Sequence, residues 1–207
     1  MRTLVTLILA LMVIVAALGI YATSGAYNVA ATDPHTRPVA WLLNMIRERS
    51  IDRQAASVAV PNLDDPNLVP AGLNDFEAMC TQCHTRPDGT PSAVAEGLNP
   101  SPPDLAESAT HMTAAELFWV TKNGVKMTGM PAWGASHEEA QLWPVVAFLQ
   151  VLPNLDGTGY AEMLEEARGQ GGHHDDAAAS SHGEMSGPDA EPGEDANDNH
   201  DHEGHEH

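Results

Sequence analysis

The chain contains only two cysteines, Cys80 and Cys83, and His84 directly follows the second. A disulfide across so short a loop would stabilise the fold little, because the stabilisation grows with loop length. A thiol–disulfide redox motif usually accompanies a βαβ pattern, and no strand pattern surrounds this segment. A closed zinc site needs a second pair of ligands, which a single C-x-x-C cannot supply. The remaining interpretation is covalent haem attachment, with both sulfurs as thioethers and the imidazole under the iron.

Haem attachment makes a demand on the rest of the sequence, because a low-spin electron carrier needs a second axial ligand, usually Met or His. The segment KNGVKMTGMPAWG lies downstream and places Met130 between Gly129 and Pro131. A methionine is commonly a filler of core gaps, but Met130 is expected in a loop and not on a helix face. Met127 is the rival ligand, and Pro131 favours Met130 because proline fixes the backbone beside it.

The N-terminus carries an apolar run over residues 4–22 that only Thr6 interrupts. The run is longer than the roughly 7–15-residue core of a secretory signal and close to the about 20 residues of a spanning helix. We therefore expect residues 1–26 to form a retained membrane anchor, although the small residues around Ala22, Ser24 and Ala26 leave signal cleavage open. Arg2 places the N-terminus in the cytoplasm by the positive-inside rule. The body of the protein is exported under either interpretation.

Residues 27–72 are expected to hold one amphipathic helix and a connector. Apolar residues at helical spacing predict the helix: Val39, Leu42, Leu43 and Ile46. Closely spaced prolines then predict an extended segment without an element of its own: Pro61, Pro66 and Pro70.

Residues 73–155 are expected to form a small all-α domain. Three capping-box patterns predict helix starts: Asn74 with Glu77, Thr113 with Glu116, and Ser136 with Glu139. Pro144 lies inside the last helical pattern and should kink it or shift its first turn. The apolar core is so small that the domain should need a covalent or metal staple.

These motifs together resemble a class I c-type cytochrome, of the monohaem bacterial kind that an N-terminal helix anchors. The segments FEAMCTQCH, PPDL, ELFWVTKNGVKMTGMPAW and LWPVVAFL carry the resemblance. It implies a small helical fold around one covalently bound haem c. Cys80 and Cys83 would form the thioethers, and His84 and Met130 would be the axial ligands of the iron.

The resemblance also implies contacts around the ligands. The carbonyl of Pro102 or Pro103 should accept a hydrogen bond from the proximal histidine and orient its ring. The first and last helices of the domain should cross, which would bring Phe76 near Trp143 and Phe148.

Three side chains could donate hydrogen bonds to the haem propionates: Arg86, Trp119 and Trp133. The helix around Trp119 favours a core role for that residue, whereas Trp133, in the ligand loop, stays open between the core and a propionate. Lys122 and Lys126 border the same loop. They are either solvated residues at the end of a helix or a small positively charged surface where a partner docks. His111 and His137 are expected at the surface, and either would become a ligand candidate only if Met130 failed.

Residues 156–207 are expected to be a linker and a disordered tail. From residue 171 onwards the chain has no Lys or Arg, eleven Asp and Glu, and seven His. So little apolar surface cannot fold by itself. The tail is either a solvated polyanion or a metal-binding segment for Cu(II), Ni(II) or Zn(II). Its densest cluster is His200, His202, His205 and His207.

The net charge of −20 excludes nucleic acid as a partner. The sequence predicts a one-electron carrier on the outer face of the cytoplasmic membrane, alone or as a subunit of a membrane-bound dehydrogenase or oxidase, and not an enzyme by itself. Two alternatives remain: a haem enzyme or sensor with an open distal site for peroxide or a small gas, and a metal-handling protein acting through its tail.

Overall fold

The computed structural model describes residues 1–169, and within them it contains helices and no strand. The α-helices are α1 Arg2–Thr23, α2 Arg37–Ala55, α3 Leu68–Met79, α4 Ala93–Glu96, α5 Leu105–His111, α6 Ala114–Asn123, α7 Glu139–Val151 and α8 Gly157–Arg168. Two 3₁₀ turns, Trp133–Ala135 and Leu152–Asn154, flank α7. The all-α prediction is confirmed. The tail predictions, including His200, His202, His205 and His207, lie outside the described residues.

Helix α1 is long and apolar enough to cross a membrane, with a mean hydropathy of 2.8 and no buried residue. Helix α2 forms where the sequence predicted it and begins at Arg37, followed by a proline that suits a first helical turn. Its apolar side chains do not enter the core of the described residues, since every residue from 41 to 50 is exposed. Only Ala55, at its end, is buried.

The core forms where α3 crosses α7. Phe76 and Phe148 are fully buried, and their ring centroids lie 5.1 Å apart. The predicted contact between these two residues is therefore confirmed. Trp143 instead stacks on Phe118 of α6, with centroids 3.9 Å apart and planes 6° from parallel.

Where α3 and α7 cross, the backbones of the two helices lie directly against each other. A Cβ atom on Gly72 would lie only 1.9 Å from the carbonyl oxygen of Pro144. Pro144 stands inside α7, where it cannot donate the helical hydrogen bond to the carbonyl of Ala140. Glycine at 72 thus lets the two helices approach more closely than any side chain would permit.

Two of the three predicted helix starts are wrong. Helix α3 begins at Leu68, so the predicted cap Asn74 lies inside it, and the Asn74 amide donates to the carbonyl of Ala167, 2.9 Å away. The connector before α3 is therefore shorter than predicted. Pro70, which was predicted to lie in the connector, occupies the first turn of α3, where proline is tolerated. The cap of α7 is Glu138, paired with Gln141, and not Ser136.

The capping box of Thr113 with Glu116 is confirmed, since each side chain bonds the other residue's backbone N–H at the start of α6. Helix α8 was not predicted, because the segment after residue 155 reads as a linker. Asp156 caps it by accepting a hydrogen bond from Gly159 N at 2.7 Å. Tyr160 is buried and packs edge-on against Phe76 and Phe148.

Candidate haem site

The C-x-x-C-H segment forms a tight turn on the C-terminal end of α3. Cys80 ends the helix and donates its N–H to Phe76 O at 2.8 Å. The carbonyl of Cys80 then accepts hydrogen bonds from Cys83 N at 3.1 Å and from His84 N at 2.8 Å. Both sulfurs and the imidazole are therefore held on one turn, which is the arrangement a haem edge needs. Both thiols are free and half-buried.

His84 is oriented by one contact across the domain. Its side chain is buried, and Nδ1 lies 3.0 Å from the carbonyl oxygen of Pro103. A carbonyl can only accept, so Nδ1 carries the proton and Nε2 keeps a lone pair for a metal. Burial lowers the pKa of His84, and the bond to Pro103 offsets part of that shift. The ring is therefore neutral at pH 7, as a ligand must be.

The position of the Pro103 carbonyl is set by the start of α5. Asp104 caps that helix, and its carboxylate accepts hydrogen bonds from Ala106 N at 2.8 Å and Glu107 N at 3.4 Å. The chain before the cap is thereby held in the extended conformation that directs its carbonyl toward His84.

The Met130 loop leaves α6 through a glycine. Gly124 ends the helix with φ of +64°, and a Cβ there would lie 2.7 Å from Met130 O. The loop closes on itself, because Val125 N donates to Met130 O at 3.3 Å and Met130 N donates to Thr128 Oγ1 at 3.1 Å. These contacts fix the backbone of Met130 itself.

The two methionines of this loop differ in exposure. Met127 is 84% exposed and has a left-handed φ of +61°, whereas Met130 is half-buried. Gly129 beside it packs tightly on Leu98, since a Cβ there would lie 2.7 Å from the leucine side chain. The sequence had indicated Gly124 as the end of the helix and Gly129 as the neighbour of Met130, but it had not revealed that the backbone at both positions is too close to its surroundings for a side chain.

Trp133 lies in the 3₁₀ turn after the loop, half-buried against the apolar core. Its ring meets His137 edge-on with centroids 5.6 Å apart, and its carbonyl accepts a hydrogen bond from His137 N at 3.0 Å. His111 is exposed at the end of α5. Trp119 is half-buried and borders a cleft that α6 forms with the end of α2.

Arg86 is engaged with Glu77. Its Nε and Nη2 donate to the two carboxylate oxygens of Glu77, both at 2.6 Å. Tyr160 of α8 donates its hydroxyl to the same carboxylate. Burial raises the pKa of Glu77, but the hydrogen bonds from Arg86 and Tyr160 and the guanidinium charge outweigh it and hold that pKa below its usual value. In the structure Arg86 is thus paired with Glu77, and its possible contact with a haem propionate stays a prediction.

A second contact joins α8 to the same segment. Gly157 N donates to Asp88 Oδ2 at 2.7 Å. Helix α8 thus bonds to residues on both sides of the C-x-x-C-H turn: Tyr160 to Glu77 before it, and Gly157 to Asp88 after it. The sequence could not reveal the contacts of α8, because the glycines around Tyr160 suggest a linker and not a helix.

Thiolate chemistry is disfavoured at this turn. Burial, with smaller contributions from Asp75 and Cys83, raises the pKa of Cys80 to about 12. A redox-active cysteine acts as the thiolate and needs the opposite shift. In residues 1–169 no group of three or more His, Cys, Asp or Glu side chains could hold a metal ion. A turn with two thiols and a neutral imidazole, together with a loop that holds the Met130 thioether, fits haem c, which supplies the iron itself.

One protein-family model matches the chain, over residues 67–149, and it describes cytochrome c oxidase, cbb3-type, subunit III. The matched segment begins at the residue before α3 and ends within α7. It contains all the residues predicted for haem binding: Cys80, Cys83, His84, Pro103, Met130 and Trp133. Helices α1, α2 and α8 lie outside it. No curated protein and no solved structure matches the chain.

Proposed function

From the premise that residues 67–149 form a c-type cytochrome domain, which transfers electrons through haem, we propose the ligands of that haem in this chain. Cys80 and Cys83 form the two thioethers, and His84 and Met130 bind the iron on opposite sides. The haem supplies a one-electron couple between ferrous and ferric iron. The protein is an electron carrier and not an enzyme by itself.

The observation that carries the proposal is the contact between His84 Nδ1 and Pro103 O. It leaves Nε2 as the only nitrogen free to ligate and orients the ring. A hydrogen bond from Nδ1 to a carbonyl also raises the basicity of the ligating nitrogen. The backbone hydrogen bonds of the Met130 loop support the second ligand in the same manner.

Ligation on both sides favours electron transfer over catalysis. A haem enzyme acting on peroxide, or a sensor of a small gas, needs an open distal position. The half-buried Met130 has the thioether that would close that position, and a thioether ligand raises the reduction potential. Because both ligands sit on fixed backbone, little needs to rearrange when the iron changes its charge.

We further propose that α1 anchors the chain as a single span, with the haem domain in the periplasm or otherwise outside the cytoplasm. Arg2 at the start of the span supports this orientation. The match to an oxidase subunit supports a redox partner in the same membrane, either a dehydrogenase or an oxidase.

Covalent attachment is tested by extraction. The haem of the purified protein should stay with the polypeptide in acidified acetone, because thioether bonds survive this treatment. The double variant Cys80→Ala/Cys83→Ala should yield extractable haem or none. A wild-type protein that releases its haem would refute the thioether assignment.

A further inference from the structure

The first half of α2 presents large apolar side chains to solvent. Trp41 is 65% exposed, Ile46 54% and Leu42 45%. Leu43 and Met45 of the same stretch are exposed as well. Single exposed apolar residues are ordinary, but five large ones within six residues of one helix mark a segment that binds something.

Helix α2 is also the positive part of an acidic protein. It contains four of the nine basic residues of the chain, and only Glu48 and Asp52 oppose them. The basic residues are Arg37, Arg47, Arg49 and Arg53. The chain as a whole has a net charge of −20. In α2 the apolar residues occupy the first half and the arginines at 47, 49 and 53 the second half, so an apolar segment that lipid could cover is next to cations that attract anionic headgroups.

The segment between α1 and α2 is folded back on itself. Tyr27 OH lies 2.7 Å from His35 Nδ1, and Asp33 N donates to Ala30 O at 3.1 Å. The end of α1 and the start of α2 are therefore joined by a compact loop. Since the end of a spanning helix lies at the headgroups, α2 begins close to the membrane surface.

We propose that residues 38–46 of α2 lie in the headgroup region of the membrane that α1 spans, with the arginines at 47, 49 and 53 contacting anionic lipid. Exposure, charge and the short folded tether all favour lipid over a protein partner as the occupant of this surface. The proposal rests on α1 being a membrane span and adds a second contact with the same membrane.

The second half of α2 transmits this contact to the haem domain. Ala55 is buried, and Gln54 and Val58 share a cleft with Trp119 of α6. Helix α6 ends at Gly124, where the Met130 loop begins. Seating α2 on the lipid would thus fix the orientation of the haem domain relative to the membrane, whereas an anchor alone would leave it free to rotate.

The test uses the full-length holoprotein in lipid nanodiscs, with a nitroxide spin label at Met45→Cys. The matched control is Ala161→Cys, an exposed position on α8. Wild-type holoprotein should take up no label, because both native cysteines are thioethers. Collision rates with oxygen, which concentrates in lipid, and with a water-soluble nickel chelate report the surroundings of the label.

The label at 45 should collide with oxygen several-fold more than the control and should be protected from nickel. This protection should be greater with phosphatidylglycerol in the nanodisc than with phosphatidylcholine alone. Adding Leu42→Glu and Ile46→Glu should abolish it and leave the haem spectrum unchanged.

A label at 45 that is as open to nickel as the control, in both lipids, would overturn the proposal, even if an added membrane protein later covered it. Failure of α1 to span is a separate outcome. In that case the protein would not copurify with the nanodiscs at all.

Discussion

At the scale of single residues, the two loop methionines differ enough to be told apart by mutation. Met130→Ala should abolish the weak red charge-transfer band of Met-ligated ferric haem and lower the reduction potential, since the thioether raises it. It should also let cyanide or carbon monoxide bind readily. Visible spectra and a redox titration measure these effects.

Met127→Ala is the matched control, because Met127 belongs to the same loop but is 84% exposed. It should leave the band and the potential unchanged. The reverse pattern would assign the ligand to Met127, and no change in either variant would place a histidine on the iron.

Glu77 gives a pH dependence with a definite sign. Its pKa is lowered in the folded protein from the ordinary 4.5. The unfolded chain therefore binds the proton more readily, and Glu77 stabilises the fold above that value. This contribution is lost as the pH falls through the lower folded pKa.

Denaturant unfolding from pH 7 to pH 3 checks this sign. Glu77→Gln should be less stable than the wild type at pH 7, and the difference should shrink in acid. Glu165→Gln, which removes an exposed ion pair with Arg168, is the control and should change little. A Glu77→Gln deficit that stays constant to pH 3 would show that the carboxylate charge does not matter.

At the scale of elements, the close crossing of α3 and α7 depends on Gly72 having no side chain. Gly72→Ala should cost at least about 3 kcal/mol, because overpacking strains a core and here the new methyl meets backbone, which yields less than a side chain. Gly97→Ala is the control, since the nearest atom to its new Cβ lies at an ordinary 3.6 Å. Thermal unfolding of the two holoproteins measures the difference. Equal stability would mean that the helices can separate at little cost.

The helix starts also show which contacts can be predicted from a local sequence pattern and which cannot. The cap at Thr113 was predictable, because the residues that satisfy it lie within one turn. Asn74 has the same local pattern but is used 93 residues away, on Ala167. Likewise the C-x-x-C-H turn is local, whereas the partner of Arg86 and the role of Tyr160 depend on how α8 packs. The cap of α7 was missed for a different reason, because a neighbouring local pattern, Glu138 with Gln141, is used in place of Ser136 with Glu139.

At the scale of the whole molecule, we predict that the tail takes no part in binding the haem. Deleting residues 171–207 should leave the haem spectrum and potential nearly unchanged, because every proposed haem ligand lies before residue 134. The deletion should remove most binding of Cu(II) or Ni(II), and the intact chain should bind less as the pH falls through about 6.5, since imidazole must be neutral to ligate.

Titration calorimetry on the intact and shortened chains at two pH values makes this comparison. A matched replacement of His200, His202, His205 and His207 by Gln keeps the length and the acidic residues of the tail. Equal metal uptake by all three proteins would leave the tail as a solvated acidic extension.

The contacts of α8 with α3 set an order of events during maturation. Helix α8 bonds to Glu77 and Asp88, on either side of the turn that holds Cys80, and it is synthesised long after that turn. In the finished fold the Cys80 thiol is half-buried, and burial raises its pKa to about 12. The cysteine is therefore most reactive while the C-terminal part of the chain is still missing or undocked. If Cys80 carries the thioether proposed above, attachment of the haem would therefore precede the docking of α8.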